Sequence, residues 1–287
     1  MLKRRYYYFV AGLTDLLFDS GKSLPDIKEF REELRNNLHP DDYYLTTILF
    51  LPHDNKNLIS FLKGKINNWD VNGNFSPEIF EEQKRILTSV LKEKDILPEY
   101  MVRIMNEWYE SETGIKNVQL NKKLAEGFID IALNSGNRFL AKWVKFDTDL
   151  KNIFIFLNSK ILELEADNYL IGSDAFTGEL SELFKSGKDF NIPAEPEYAP
   201  AIFKIATENE FIERERKTDL ERWNFIDNLI FFEYFTIDFI LGYLIKYSIV
   251  LRWLKLEPET GKKMLQKFVS DMEKNVLSGD FGGSSRV

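Results

Sequence analysis

Apolar residues recur at helical spacing along most of the chain, most strongly from 209 to 256. That stretch has no proline and one glycine, Gly242. Phe211, Trp223, Ile226, Ile230 and Phe231 lie near a period of 3.6, and Glu213, Arg214, Glu215, Arg216 and Lys217 fall between them. An apolar stripe with a charged opposite face is the signature of an amphipathic helix packed on a core. The spacing predicts two helices, 209–234 and 237–256, broken near Phe235 and stopped by Pro258. Thr236 suits an N-cap, because its hydroxyl accepts from a free N–H of the next turn. Asp238 then falls where the helix dipole favours an anion. A membrane span is excluded, since it needs about 20 predominantly apolar residues. Glu233, Asp238, Lys246 and Arg252 interrupt this run, and charges at mid-bilayer cost several kcal/mol.

The same reading upstream predicts a helix at 26–38 with Ile27, Phe30, Leu34 and Leu38 on one face, ended by His39-Pro40. A second at 42–51 is stopped by Pro52, and Asp54 is read as the N-cap of a third. Ser76-Pro77 opens a helix to about Lys94, because proline is tolerated at N1. Further helices are expected from Pro98 through Tyr109, at 120–134, at 138–146 and at 179–185. Tyr6 to Phe18 fits a strand or a buried helix equally. Pro193, Pro196 and Pro200 make 193–200 a stiff connector. A terminal amphipathic helix is expected near 260–277, and 278–287 as a disordered tail.

One pattern occurs twice. HDNKNLISFLKGK from His53 and DLKNIFIFLNSK from Asp149 share D-x-K-N-[LI]-x-x-F-L-x-x-K at an offset of 95, that is 149 − 54. The paired residues are Asp54/Asp149, Lys56/Lys151, Asn57/Asn152, Phe61/Phe156, Leu62/Leu157 and Lys65/Lys160. The reading is a cap, a polar first turn, an apolar stripe and a solvated lysine, and it predicts an internal duplication. A looser third copy begins at Asp238, with Leu241, Leu244 and Ile245 as its stripe and Lys246 after it. The expected organisation is one all-α unit over 1–277, with lobes near 1–70, 71–192 and 201–277.

Composition sharpens this picture in three ways. The chain has 287 residues, 44% hydrophobic and 29% charged, enough for a sizeable core. Its 24 Phe favour helix packing. The net charge of −8 leaves Lys3-Arg4-Arg5 as the one basic block, so a phosphate-neutralising nucleic-acid surface is not expected. With no cysteine there is neither disulfide nor thiol chemistry. The N-terminal MLKRRYYYFVAGL mimics a signal peptide, but its apolar run is short and Asp15 ends it, so a cytoplasmic protein is expected.

Chemistry is sparse in the sequence. His39 and His53 stand beside prolines and predict no metal site. Ser20-Gly21-Lys22-Ser23 contains G-K-S, but Leu16 stands where a P-loop needs its first glycine. No catalytic residue, cofactor or metal is assigned. Glu233 and Asp238 sit among apolar residues, where desolvation would raise a carboxyl pKa. A carboxylate-dependent enzyme built on Glu233 is the less favoured alternative, and a helical scaffold for another partner is the other. Lys246, Arg252 and Trp253 are candidate partner contacts, with pairing inside the chain as the plainer explanation.

The repeat and the final helix pair carry a resemblance, together with YYYFVAGLTDLLFDSGKS near the start and ERWNFIDNLIFFEYFTIDFILGYLIKYSIVLRW near the end. The chain resembles the C-type (eukaryotic d-type) rotor components of V-type/A-type ATPases, and more closely a bacterial branch whose genes accompany V-type ATPase genes. Members of that group are similar in their recurring Asp-plus-Asn/Leu helix starts. They also share a long helix, an aromatic–Asp break and a Tyr-Leu-x-Lys helix with a later Arg. Here these are Phe235, Asp238, Tyr243, Leu244, Lys246 and Arg252. After Arg252 this chain departs, with Trp253-Leu254 and Pro258 in place of an Arg-rich helix. The resemblance implies a funnel-like all-helical fold and a non-catalytic rotor adaptor. Its implied partners are the central-stalk proteins and the proteolipid ring, with membrane contact only through the ring.

Overall fold

A computed structural model describes residues 4–18, 24–89, 93–111, 115–187, 193 and 195–256. The G-K-S loop, the terminal helix and the tail lie outside them, as do parts of the proline-rich connector. The described residues form twelve α-helices and no strand. In order these are α1 (Tyr7–Ala11), α2 (Ile27–Asn37), α3 (Pro40–Ile48), α4 (Leu51–Leu62), α5 (Pro77–Thr88) and α6 (Glu99–Glu110), then α7 (Asn117–Asn134), α8 (Arg138–Ile161), α9 (Ala175–Ser186), α10 (Ala199–Ala206), α11 (Phe211–Ile230) and α12 (Ile237–Leu256). The buried apolar side chains make one continuous core, from Ile27 on α2 to Tyr247 on α12.

The long C-terminal pair is present as expected, although α11 is shorter than its apolar pattern. It runs antiparallel to α12: Lys246 meets Asp227 and Arg252 meets Asp219. Gly242 lets the two backbones approach, because a Cβ there would lie 2.8 Å from Ile230 Cγ2 and 3.0 Å from Ile226 Cγ2. α12 packs on α3 and α8 as well as α11. It also receives the N-terminal segment, for Tyr243 Oη donates to the Thr14 carbonyl at 2.8 Å and Tyr247 Oη to the Pro25 carbonyl at 2.6 Å. Phe30 of α2 stacks on Tyr247 at 4.6 Å between centroids. Tyr6 to Phe18 thus resolves as a short helix and an irregular arm.

Prolines mislead at three places, for one reason. His39-Pro40 does more than end a helix: His39 Nδ1 accepts from Asp41 N–H, and Pro40 opens α3. Pro52 lies in the first turn of α4, and Pro200 in that of α10. A first-turn N–H has no helical acceptor, so proline loses nothing there. Pro200 therefore belongs to a helix and not to a connector. The predicted break at Phe146 is absent too, since α8 is continuous over 24 residues.

The glycines yield a paired prediction. Gly127 sits where α7 crosses α6, and a Cβ there would overlap the Tyr100 ring. That ring cannot swing aside freely, because Tyr100 Oη donates to Asn55 Oδ1 at 2.7 Å and Asn55 Nδ2 to the Leu124 carbonyl at 3.0 Å. Gly178 of α9 has nothing within 4 Å of its would-be Cβ. Gly178→Ala is expected to stabilise by up to about 1 kcal/mol through helix propensity. Gly127→Ala is expected to destabilise by about 1–3 kcal/mol despite the same gain. Urea unfolding of the two variants checks the opposite signs.

Candidate functional site

The repeated motif builds two matching polar structures among the described residues. Asn57 of α4 closes a two-bond clamp on one later residue: its Nδ2 donates to the Asp70 carbonyl at 2.9 Å, and its Oδ1 accepts from Asp70 N–H at 2.7 Å. Asn152 of α8 does the same to Ile171, at 2.9 and 2.8 Å. Both asparagines are fully buried. A side-chain amide offers one donor and one acceptor in the geometry of a peptide group, so it replaces a missing strand partner for one loop residue.

The similarity extends well past the shared residues. α4 and α8 are each followed by a left-handed residue, Gly64 at φ 65° and Glu163 at φ 53°. Each end is closed by an N–H to the carbonyl five residues back, Lys65 to Ser60 at 2.8 Å and Leu164 to Ser159 at 2.9 Å. This is the six-to-one bond of a Schellman cap. A 3₁₀ turn follows in each, Ile66–Asn68 and Ala166–Asn168, then the clamped residue, then α5 or α9. The caps are offset by 99, from 159 − 60, whereas the motifs are offset by 95. α8 therefore carries about one extra turn after its motif, which returns the chain to the same face. Lys65 lies beyond its helix while Lys160 lies within α8, with Nζ 5.1 Å from the Phe156 ring centre. The lysine correspondence is thus one of sequence alone.

The motif aspartates are not helix caps. Asp54 lies in the first turn of α4 and Asp149 in the middle of α8, and both are fully buried. Asp54 reaches the start of the next helix directly, accepting from Asn74 N–H at 2.6 Å, Phe75 N–H at 3.1 Å and Asn74 Nδ2 at 2.6 Å. Arg31 holds the same loop through the Asn72 carbonyl at 2.8 Å and Asn74 Oδ1 at 2.7 Å. His53 Nδ1 lies 2.7 Å from Asp70 Oδ2. Asp149 reaches its loop through Lys145, which also meets Asp174, the N-cap of α9, at 3.0 Å. Tyr198 Oη donates to Asp149 at 2.5 Å. Asp238, in the expected first turn, accepts from Asn137 Nδ2 at 2.6 Å and so orients the N-cap of α8.

Burial pushes the Asp54 carboxyl up to about 6, against its backbone and Asn74 donors, and raises Asp149 against Lys145 and Tyr198. Asp147 moves the other way. Burial opposes its charge, but Lys151 and Arg222 hold it well below the usual carboxylate range. A carboxyl raised in the fold binds its proton more tightly folded than unfolded. Its stabilisation is complete below the unfolded value of 3.8 and is lost as pH rises through 6. Asp147 contributes in the opposite direction and only at lower pH. The stability advantage of the natural chain over Asp54→Asn is therefore expected to fall by something on the order of 3 kcal/mol between pH 4 and 7. Urea unfolding at several pH values measures it.

The three candidate contact residues are all engaged within the chain. Buried Lys246 pairs with Asp227, and its Nζ lies 4.5 Å from the Trp223 ring centre. Arg252 pairs with Asp219, and Trp253 Nε1 donates to the same carboxylate at 2.9 Å. Asp219 is buried and also accepts from Arg222 at 3.0 Å, while Arg222 reaches Asp147 of α8 at 2.9 Å. This node was legible in principle: Asp219, Trp223, Ile226 and Ile230 fall on one helical stripe. Asp70 and Asn137 carry no such signal.

At the other end of the hairpin the chain turns sharply. Phe235 has φ 62°, a conformation costly for an aromatic residue, of order 1–3 kcal/mol. Its carbonyl accepts from Tyr6 N–H at 2.7 Å, and Arg5 Nη1 donates to the Tyr234 carbonyl at 2.5 Å. Glu233 is half-exposed in this turn and accepts from Thr236 Oγ1 at 3.2 Å. Among the described residues, no group of three or more His, Cys, Asp or Glu is placed to hold a metal ion. No described helix is long and apolar enough to cross a membrane.

These features define an all-helical protein in which a duplicated clamp unit is joined to a long antiparallel helix pair. A family of proteins of unknown function, DUF2764, matches residues 3–276, and the chain belongs to that family. No curated protein and no solved structure matches it.

Proposed function

We propose that the chain is a non-catalytic central-rotor adaptor of a V-type ion-translocating ATPase, joining the central stalk to the membrane proteolipid ring. The observation that carries the reading is the twice-built clamp unit followed by a helix pair with an aromatic–Asp break. That is the order of features on which the resemblance to the C-type rotor components rests. The polar residues support a mechanical role: Asp54, Asn57, Asp149, Asn152 and Asp238 all fix one helix or loop against another. Torque is transmitted best by elements that cannot slide, and buried, fully paired polar groups resist sliding. The chain then works at the cytoplasmic face, peripheral to the membrane, and meets the bilayer through the ring. Deleting the gene is expected to leave ATP hydrolysis by the catalytic head while abolishing ATP-driven ion uptake in membrane vesicles. Unchanged uptake in the deletion strain would contradict the proposal.

A further inference from the structure

The hairpin turn and the N-terminal helix jointly expose five aromatic side chains. Tyr8 is 98% exposed and Phe232 82%, and Tyr7, Phe231 and Tyr234 are each more than half exposed. The two segments are far apart in sequence but fixed to one another. The Tyr6-to-Phe235 backbone bond, the Arg5-to-Tyr234 bond and the Tyr7–Phe235 ring contact at 4.9 Å join them. A left-handed backbone at Phe235 is maintained at this same point. Exposed apolar patches held by specific bonds mark interaction surfaces, and strained backbone concentrates at such places.

We propose that this aromatic tip is a lipid-docking surface that seats in the headgroup layer of an anionic bilayer. Two observations favour lipid over a protein groove. The patch holds three tyrosines, Tyr7, Tyr8 and Tyr234, whose rings with a polar edge favour the boundary between headgroups and acyl chains, and Phe231 and Phe232 add apolar area beside them. It also adjoins Arg4 and Arg5, in the one basic block of a chain with net charge −8. Arg4 is held by Asp41 at 3.2 Å and Asp42 at 3.5 Å, whereas exposed Arg5 keeps Nη1 on the Tyr234 carbonyl and turns the rest of its charge to headgroups, with Glu233 in the turn and exposed Asp41 as acidic neighbours. This contact is direct and additional to the one that the adaptor reading makes through the ring, and vesicle binding by the isolated chain tests it without testing that reading.

The test is cosedimentation of the purified full-length chain with vesicles of phosphatidylcholine alone and of phosphatidylcholine mixed with phosphatidylglycerol. The chain is expected to bind the mixed vesicles more tightly. The double variant Tyr8→Ser/Phe232→Ser is expected to lose about tenfold or more in partition, and Arg5→Gln, which removes the charge but keeps a side-chain N–H donor for the Tyr234 carbonyl, about fivefold on the anionic vesicles alone. Ile161→Ser, at an exposed apolar position at the end of α8, should leave binding unchanged. Circular dichroism confirms that each variant is folded. Absence of vesicle binding, or binding that the double variant leaves intact, overturns the proposal. So does a folded chain that ignores vesicles but loses a protein partner or self-association in the double variant, since the tip would then be a protein interface.

Discussion

Asp219→Ala is expected to destabilise the fold by about 3 kcal/mol, and Arg252→Ala by less than about 1 kcal/mol, although both break the same ion pair. The asymmetry follows from burial. Asp219 has 2% of its side chain exposed and joins two residues of α12, Arg252 and Trp253, to Arg222 on its own helix. Removing it leaves the Trp253 N–H without that acceptor and takes one of two carboxylates from Arg222, which has 18% of its side chain exposed. Arg222 retains Asp147, which keeps the loss at the lower end of the range for a broken buried pair. Arg252 is 42% exposed, so water competes for its charge already. Removing it leaves Asp219 with Arg222 and Trp253. Urea unfolding of both variants measures the difference, and equal losses would show that the pair, and not the buried carboxylate, is the unit that matters.

The second large effect lies in the clamps. Asn57→Ala takes the partner from the part-buried Asp70 N–H and carbonyl, and Asn152→Ala from the part-buried Ile171 N–H, whose carbonyl keeps Thr177 Oγ1 at 3.5 Å. A loss of about 2 kcal/mol is expected for each, since water reaches such part-buried groups once the amide is gone. The damage should be local. Amide exchange is expected to rise at 70–75 in the first variant and at 171–177 in the second, with neither crossing to the other lobe. Exchange that rises equally in both loops would mean the two units are not built independently.

Much of this was legible from residue pattern. The apolar stripes located α2, α6, α7 and α12 to within a few residues, and the start of α5. Gly242 stood out as the lone glycine of the long pair before its close contact with Ile226 and Ile230 was visible. The duplicated twelve-residue pattern was also readable, but its meaning was not. Asp and Asn beside an apolar stripe resemble a helix cap, whereas here they face inward from an established helix and secure a loop that lies 13 or 19 residues later. Nothing local encodes that distance. The extra turn in α8 is likewise invisible to an alignment at constant offset. The prolines failed for the opposite reason, since a residue that ends one helix is equally suited to begin the next. Lys246, Arg252 and Trp253 looked like contact residues because charge and aromaticity in an apolar run draw notice. Their partners Asp227 and Asp219 sit on the preceding helix, and only the antiparallel pairing brings them together.

A rotor adaptor is defined by its company, and company can be weighed directly. The tagged full-length chain is to be purified from native membranes in mild detergent and its companions identified by mass spectrometry. V-type catalytic, stalk and proteolipid components are expected, with one copy of this chain per rotor. A clean monomer in the soluble fraction, with no ATPase component beside it, would contradict the adaptor role.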